Sequence, residues 1–254
     1  MPLRRIIVSV TTAVGLALAG APPAGAVVGG RDAGPDTAPF QVALIERGQF
    51  VCGGFLRDAT TVVTAAHCVE ATPADALTVR LDGVDRTRLA QSRDVAAVVQ
   101  HPGFEWKTGA DDAALLELAA PVAESDTVKY ARLATADPAP GAELTVTGWG
   151  VTQAGARTPA TMLQAARERV ISPGACRAAA GGTGLGSLMG RGADGALCAG
   201  SVTAGTGFCS GDSGGPAVVD GVVVGIVSRN VDCGRGYDIY TSVARFNGWL
   251  TQQL

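Results

Sequence analysis

One serine in this chain is surrounded by residues that free the backbone. Residues 207–216 read Gly-Phe-Cys-Ser-Gly-Asp-Ser-Gly-Gly-Pro, which puts Ser213 among Gly207, Gly211, Gly214 and Gly215. Glycine at this density marks a tight loop built around a ligand or a reacting atom. A serine hydroxyl is a weak nucleophile at neutral pH, so it needs a base in contact and a carboxylate to orient that base. Two histidines are available. His67 follows the apolar run Val-Val-Thr-Ala-Ala and precedes Cys68, whereas His101 sits in the turn-like Val-Val-Gln-His-Pro-Gly-Phe; His67 is taken as the base and His101 as a surface residue. The Gly-x-Ser-x-Gly spacing of Gly211, Ser213 and Gly215 also suits the nucleophile elbow of an α/β-hydrolase, but that fold needs a histidine after the serine, and none follows His101. A His…Asp…Ser order survives. Asp112 fits it, since it immediately precedes the apolar run Ala113–Leu118 and one end of a buried strand can fix its carboxylate; Asp111 is the runner-up.

The elements that must hold these groups read as strands. From Val27 onward the chain is a series of short β-rich runs (FQVALIE, TVVTAA, LTVRL, DVAAVVQ, AALLEL, ELTVTGWG, AVVDGVVVGIVS, YDIYTSV) cut by Gly, Pro and Asp, the pattern of a β-sandwich or barrel. Asp220-Gly221 between two apolar runs predicts a hairpin. Residues 242–254 place Val243, Phe246, Trp249 and Leu250 at helical spacing, as in a docked terminal helix. Residues 123–141 lack alternation and read as a connector between a first β unit, 27–122, and a second, 142–254, that includes the helix.

Residues 1–26 begin with Arg4 and Arg5, continue through an apolar run from Ile6 to Leu18, and end in small residues at Ala-x-Ala spacing. That is the layout of a secretory signal, with a retained anchor as the alternative, and it predicts a secreted, extracellular protein free of the membrane after cleavage. Without Arg4 and Arg5 the chain holds 18 basic against 23 acidic residues, a formal charge of −5, which argues against a nucleic-acid surface. The six cysteines lack any Cys-x-x-Cys pair, and two histidines at these spacings do not make a usual zinc set, so three disulfides are expected and no metal.

The motifs VVGG, TAAHC, DAALL, VTGWG and GDSGGP, in this order from Val27 to Leu254, resemble the trypsin/chymotrypsin family of serine endopeptidases, here a bacterial-type member with a short or absent pro-segment. The resemblance implies two perpendicular six-stranded antiparallel β-barrels with the site between them and His67, Asp112 and Ser213 as base, orienting acid and nucleophile. It implies the pairings Cys52–Cys68, Cys176–Cys198 and Cys209–Cys233, and a Ser228 that hydrogen-bonds near Asp112 and starts the strand that pairs with substrate. Peptide hydrolysis creates an oxyanion, for which the N–H groups of Gly211 and Ser213 are the expected donors. The carboxylate of Asp212 needs a buried partner, and the family supplies it as the freed ammonium of Val27. Cleavage after Ala26 would free it directly; cleavage after Ala19 would leave a pro-segment 20–26, the route favoured here. No cofactor is implied. The expected partners are polypeptide substrates and proteinaceous inhibitors, and the expected state is a monomer.

Specificity departs from the family pattern. A trypsin carries an aspartate where this chain has Gly207, followed by Phe208, so basic or broad preference is expected rather than strict Arg/Lys selection. Asp238 stands where a glycine is usual, either on the pocket wall or as a solvated turn residue, and Arg229 and Asn230 narrow the pocket mouth. A catalytically silent binding module on the same fold is the alternative from another functional class, though such a protein would be expected to lack one of the three reacting groups.

Overall fold

A computed structural model describes residues 27–180, 196–201 and 205–252. The signal and pro-segment expectation lies outside these residues. Among them no helix is long and apolar enough to cross a membrane.

After a two-residue strand β1 (Arg31–Asp32), six antiparallel strands close the first barrel. They are β2 (Gln41–Glu46), β3 (Gln49–Leu56), β4 (Thr61–Thr64), β5 (Leu77–Leu81), β6 (Gln91–Gln100) and β7 (Ala114–Leu118), joined as β2-β3-β4-β7-β6-β5 and back to β2. The second ring runs β8-β9-β10-β13-β12-β11 and returns to β8, from β8 (Glu143–Gly148), β9 (Gln164–Val170), β10 (Ala196–Ser201), β11 (Pro216–Val219), β12 (Val222–Asp232) and β13 (Arg235–Ser242); β1 adds to the edge of β9. Helix α1 (Pro173–Ala180) follows β9, and α2 (Val243–Gln252) follows β13. Two closed barrels leave few free strand edges.

Local chemistry explains the elements. In β5 the sequence Leu-Thr-Val-Arg-Leu alternates between buried and half-buried positions, so a single face fills the barrel. The β11–β12 hairpin turns at Asp220 and Gly221 with φ of +49° and +73°, the pair of positive values that matches strand twist. Helix α2 is capped by Ser242, whose Oγ accepts from Arg245 N at 3.1 Å, and it buries Val243, Phe246 and Leu250 on one face. Full burial of side chains such as Phe55, Leu56, Leu115 and Leu144 contributes about 1.5–3 kcal/mol each.

The barrels are joined by polar contacts as well as by a shared apolar core. Thr147 Oγ1 donates to Gln41 Oε1 at 2.7 Å, and the indole of the fully buried Trp149 donates to Val84 O at 2.9 Å. Between β7 and β8 the chain forms no helix or strand beyond a single bridge from Leu133 to Val223.

Candidate active site

The His67 side chain is carried by a short 3₁₀ turn, Ala66–Cys68, just after β4, rather than by the strand itself. The turn is tied down on both sides. Cys68 is bonded to Cys52 on β3, and Asp112 Oδ1 accepts from the backbone N–H of His67 at 2.9 Å. Asp112 lies two residues before β7 and is buried; its Oδ2 meets His67 Nδ1 at 2.7 Å and accepts from Ser228 Oγ at 2.7 Å, while its carbonyl accepts from Thr241 Oγ1 at 2.9 Å. Burial alone would raise the Asp112 pKa, but the hydrogen bonds from His67 and Ser228 outweigh it and hold the carboxyl below its usual value. An ionised carboxylate on Nδ1 selects the tautomer that leaves Nε2 free to accept a proton.

Asp111 points elsewhere. It takes a positive φ of 52°, and its carboxylate faces Arg245 at 3.4 Å and His101 at 3.8 Å. His101 is half-buried rather than a surface residue, set edge-on against Phe246 and Trp249 at ring distances of 4.8 and 5.0 Å. Burial there lowers its pKa, which keeps the ring neutral near pH 7.

Ser213 lies in the segment that precedes β11, and that segment is tied to the elements that carry His67. Gly53 N donates to Ser213 O at 2.8 Å, and Gly53 adjoins Cys52, the disulfide partner of the residue after His67. The next residue, Gly214, has φ of +79°, and a Cβ there would lie 2.2 Å from Thr64 Oγ1 and 2.5 Å from Gly53 O. Only glycine lets the serine loop settle this closely on the strand end that leads to His67. Gly214→Ala is therefore expected to destabilise the fold by more than about 2 kcal/mol, read from chemical denaturation midpoints. Among the described residues Ser213 Oγ has no hydrogen-bond partner. Catalytic hydrogen bonds are often long until substrate is bound.

The same loop presents unused backbone donors. The N–H groups of Gly211 and Ser213 donate to no acceptor among the described residues, while those of Phe208, Cys209, Asp212, Gly214 and Gly215 are all satisfied. Gly211 has φ of +95° and packs against Gly150, where a side chain would press on the backbone. Asp212 is fully buried: its Oδ1 accepts from Gly150 N at 2.7 Å and its Oδ2 from Cys209 N at 2.9 Å. Burial pushes its pKa up to about 7, against the lowering effect of those two donors. Nearby, Val27 is completely buried, and Val28 bridges Gly207, which donates to Val28 O at 3.1 Å.

Asp238 is no solvated turn residue. It lies on β13, only 5 % exposed, and its Oδ2 accepts from Phe208 N at 3.3 Å. A Cβ on Gly207 would come within 2.6 Å of that oxygen, so glycine at 207 makes room for the carboxylate at 238. Asn230 Nδ2 donates to Phe208 O at 2.7 Å, and Phe208 packs edge-on against Tyr240. Gly207, Phe208, Asn230 and Asp238 thus form one contiguous group, and Ser228 lies two residues before Asn230 on β12.

Three features escaped the sequence reading. Thr241 fixes the Asp112 backbone, and a cavity of about 200 Å³ beside His67 is walled by Phe104, Trp106 and Arg229. Trp106 is 60 % exposed, an aromatic in Phe-Glu-Trp-Lys that could have been singled out as a surface contact. The third is Glu168, a fully buried acid on β9. The Cys52, His67 and Cys68 side chains lie close together, but both sulfurs are in a disulfide and offer no thiolate to a metal. The other bridges are Cys176–Cys198 and Cys209–Cys233.

The trypsin family profile matches residues 27–250. The chain is 36% identical to a trypsin of Phaedon cochleariae over 89% of this chain and 88% of that one, and 32% identical to trypsin alpha of Drosophila erecta over 96% of both. These relatives are insect proteins, which corrects the bacterial-type expectation. Among solved structures it is similar to neuropsin, a serine protease of mouse brain, with a TM-score of 0.79 and 30% identity over 89% of this chain and 99% of that one. Human heparin binding protein matches with a TM-score of 0.76 and 28% identity over 88% and 95%.

Proposed function

The chain belongs to the trypsin family of serine endopeptidases, and from that premise we propose that Ser213, His67 and Asp112 are its nucleophile, base and orienting acid. The observation that carries this is the buried Asp112 carboxylate on His67 Nδ1, held by Ser228 and set beside the loop of Ser213. In the reaction Ser213 Oγ attacks the scissile carbonyl carbon while His67 Nε2 takes the hydroxyl proton. The carbonyl oxygen becomes an oxyanion that accepts from Gly211 N–H and Ser213 N–H. The tetrahedral species collapses as His67 returns the proton to the leaving amine, and an acyl ester remains on Ser213. Water then attacks that ester with His67 again as base, which releases the acid and restores the hydroxyl.

The enzyme is proposed to be secreted and monomeric, with polypeptide substrates and proteinaceous inhibitors as partners, after removal of residues 1–26. Residues 27–122 and 142–254 would then be its two halves, joined by 123–141. Val27, freed as an ammonium, is proposed to pair with Asp212. The alternative of a silent binder gains nothing from the neighbour named for heparin binding, because this chain carries a net charge of −3 and heparin is a polyanion.

The primary specificity pocket is proposed to comprise Gly207, Phe208, Ser228, Asn230 and Asp238. A carboxylate at 238 attracts Lys or Arg from the wall while Phe208 and the aliphatic lining admit apolar residues, which gives broad preference. Cleavage of a peptide library by wild type should include both basic and apolar residues before the scissile bond. Asp238→Gly should lose basic-residue cleavage by about 10–100-fold and keep apolar cleavage. Equal basic-residue cleavage in the two proteins would remove Asp238 from the pocket.

A further inference from the structure

β9 carries its charges in an unusual order. Arg167 and Arg169 face solvent, and between them Glu168 turns its carboxyl into the second barrel, where it is 0 % exposed. Tyr240 Oη donates to Glu168 Oε2 at 2.8 Å, while Oε1 is buried with no donor to accept from among the described residues. Asp238 and Tyr240 lie two residues apart on β13 and so share a face, which puts the buried Asp238 carboxyl on the same side of the sheet as the Glu168 carboxyl that Tyr240 holds, and each acid acts on the titration of the other. Neither forms a salt bridge among the described residues. The surroundings offer little else. β10 contributes Ala199 opposite Asp238, β12 contributes Asn230, and β13 contributes Tyr240; the other titratable group acting on the pair is Asp212.

We infer that Glu168 is a specificity-positioning residue: it shares a proton with Asp238 beneath the primary pocket, and by donating that proton it keeps Asp238 ionised and the pocket receptive to cationic side chains. This rests on the assignment of Asp238 to the pocket. Glu168 is the better proton carrier because burial, joined by the charge of Asp238, raises its pKa well above the usual carboxylate value. Asp238 is pushed up to about 6, again chiefly by burial, while Glu168 acts to lower it. The pair titrates as a unit. The sign follows: as pH falls through about 6 the pocket becomes neutral and attraction for a cation is lost, whereas above it the attraction is present. A freed Val27 ammonium on the Asp212 side would move the midpoint down without changing this direction.

The test uses the active enzyme beginning at Val27, with benzamidine as a cationic pocket probe measured by calorimetry from pH 5 to 8. Arginyl and leucyl amide substrates are followed alongside. In wild type, benzamidine affinity and the Arg/Leu ratio of kcat/KM should fall by up to tenfold per pH unit below the midpoint. Glu168→Leu removes the donor, so the midpoint should rise by about one unit and benzamidine should bind about tenfold more weakly at pH 7. Glu168→Gln keeps an N–H for Asp238 and an oxygen for Tyr240, and should stay within about twofold of wild type. A carbon-13 titration of the Asp238 carboxyl adds a readout that needs neither activity nor the Leu variant: two steps in wild type, one in Glu168→Gln. The inference is overturned by a wild-type profile flat across this range, by a Leu variant with an unmoved midpoint, or by the same single step in both titrations. Loss of leucyl turnover in wild type would instead count against the catalytic reading, and unchanged benzamidine binding in Asp238→Gly against the pocket.

Discussion

Ser213→Ala is expected to fold as wild type does and to lose peptide hydrolysis by about 10⁴–10⁶-fold. Ser213 is half-buried and its Oγ has no hydrogen-bond partner among the described residues, so removal of one oxygen leaves no orphaned donor and little empty space. Stability should therefore change by less than about 1 kcal/mol. The loss of rate comes from losing the atom that forms the acyl bond. His67→Ala should be similarly damaging, because without Nε2 the hydroxyl proton has no acceptor. Asp112→Asn should follow closely: an amide on Nδ1 favours the opposite tautomer and turns the base into a donor. The three act as one unit, so the double variant Ser213→Ala/His67→Ala should lose hardly more than either single change. Rates of amide hydrolysis by proteins purified to exclude other proteases, with thermal melts alongside, check each expectation.

A chain that retains even one residue before Val27 should fold and hydrolyse substrate at least about 10²–10³-fold more slowly than the form beginning Val27-Val28-Gly29, the range for loss of an oxyanion donor. The reason lies at Asp212. Its carboxyl is fully buried between Gly150 N–H and Cys209 N–H, and burial raises its pKa to about 7. For an acid whose pKa is raised by folding, the contribution to stability is full below its unfolded value near 3.8 and is lost as pH rises through 7. The uncleaved chain should thus melt at a lower temperature at pH 8 than at pH 5. A freed Val27 ammonium would supply the missing charge, lower the pKa and remove that loss, while its ion pair draws the 211–213 segment into place. Val27 is buried and Val28 is bridged to Gly207, five residues before Asp212 in the chain. N-terminal sequencing of the active form and paired melts of cleaved and extended protein provide the check; full activity in the extended form would refute the account of Asp212.

Much of this architecture was legible in the residues. Runs with plain alternation, such as Leu77–Leu81, and the Asp220-Gly221 turn mark β5 and the β11–β12 hairpin because their local chemistry agrees with the barrel. β9 escaped because Gln-Ala-Ala-Arg-Glu-Arg-Val carries charge at every position from 167 to 169, so the inward Glu168 erases the polar/apolar contrast that alternation depends on. β3 was hidden by Gly53 and Gly54, which leave no side chain to pattern and let Gly215 and Val63 approach the strand closely. His67 was placed near a strand end, but only three dimensions show the 3₁₀ turn that aims it. Asp111 and Asp112 are adjacent acids in sequence. The positive φ at Asp111 separates them, sending one to Arg245 and the other to His67. Asp238 could not be assigned from sequence, since a loop aspartate and a strand aspartate look alike until the β12–β13 register, with Asn230 opposite Asp238, is known.

The most direct test of the central claim, an activated serine at 213, is covalent capture. The Val27-starting enzyme is treated with a fluorophosphonate at pH 8 and digested, and the adduct is located by mass spectrometry. One phosphonyl group per chain is expected, on the hydroxyl of Ser213 in the peptide that contains Gly211-Asp212-Ser213-Gly214, with loss of hydrolysis in proportion to labelling. His67→Ala should label at least about 10³-fold more slowly. Stoichiometric labelling at another residue, or full proteolytic activity in a protein phosphonylated at Ser213, would contradict it.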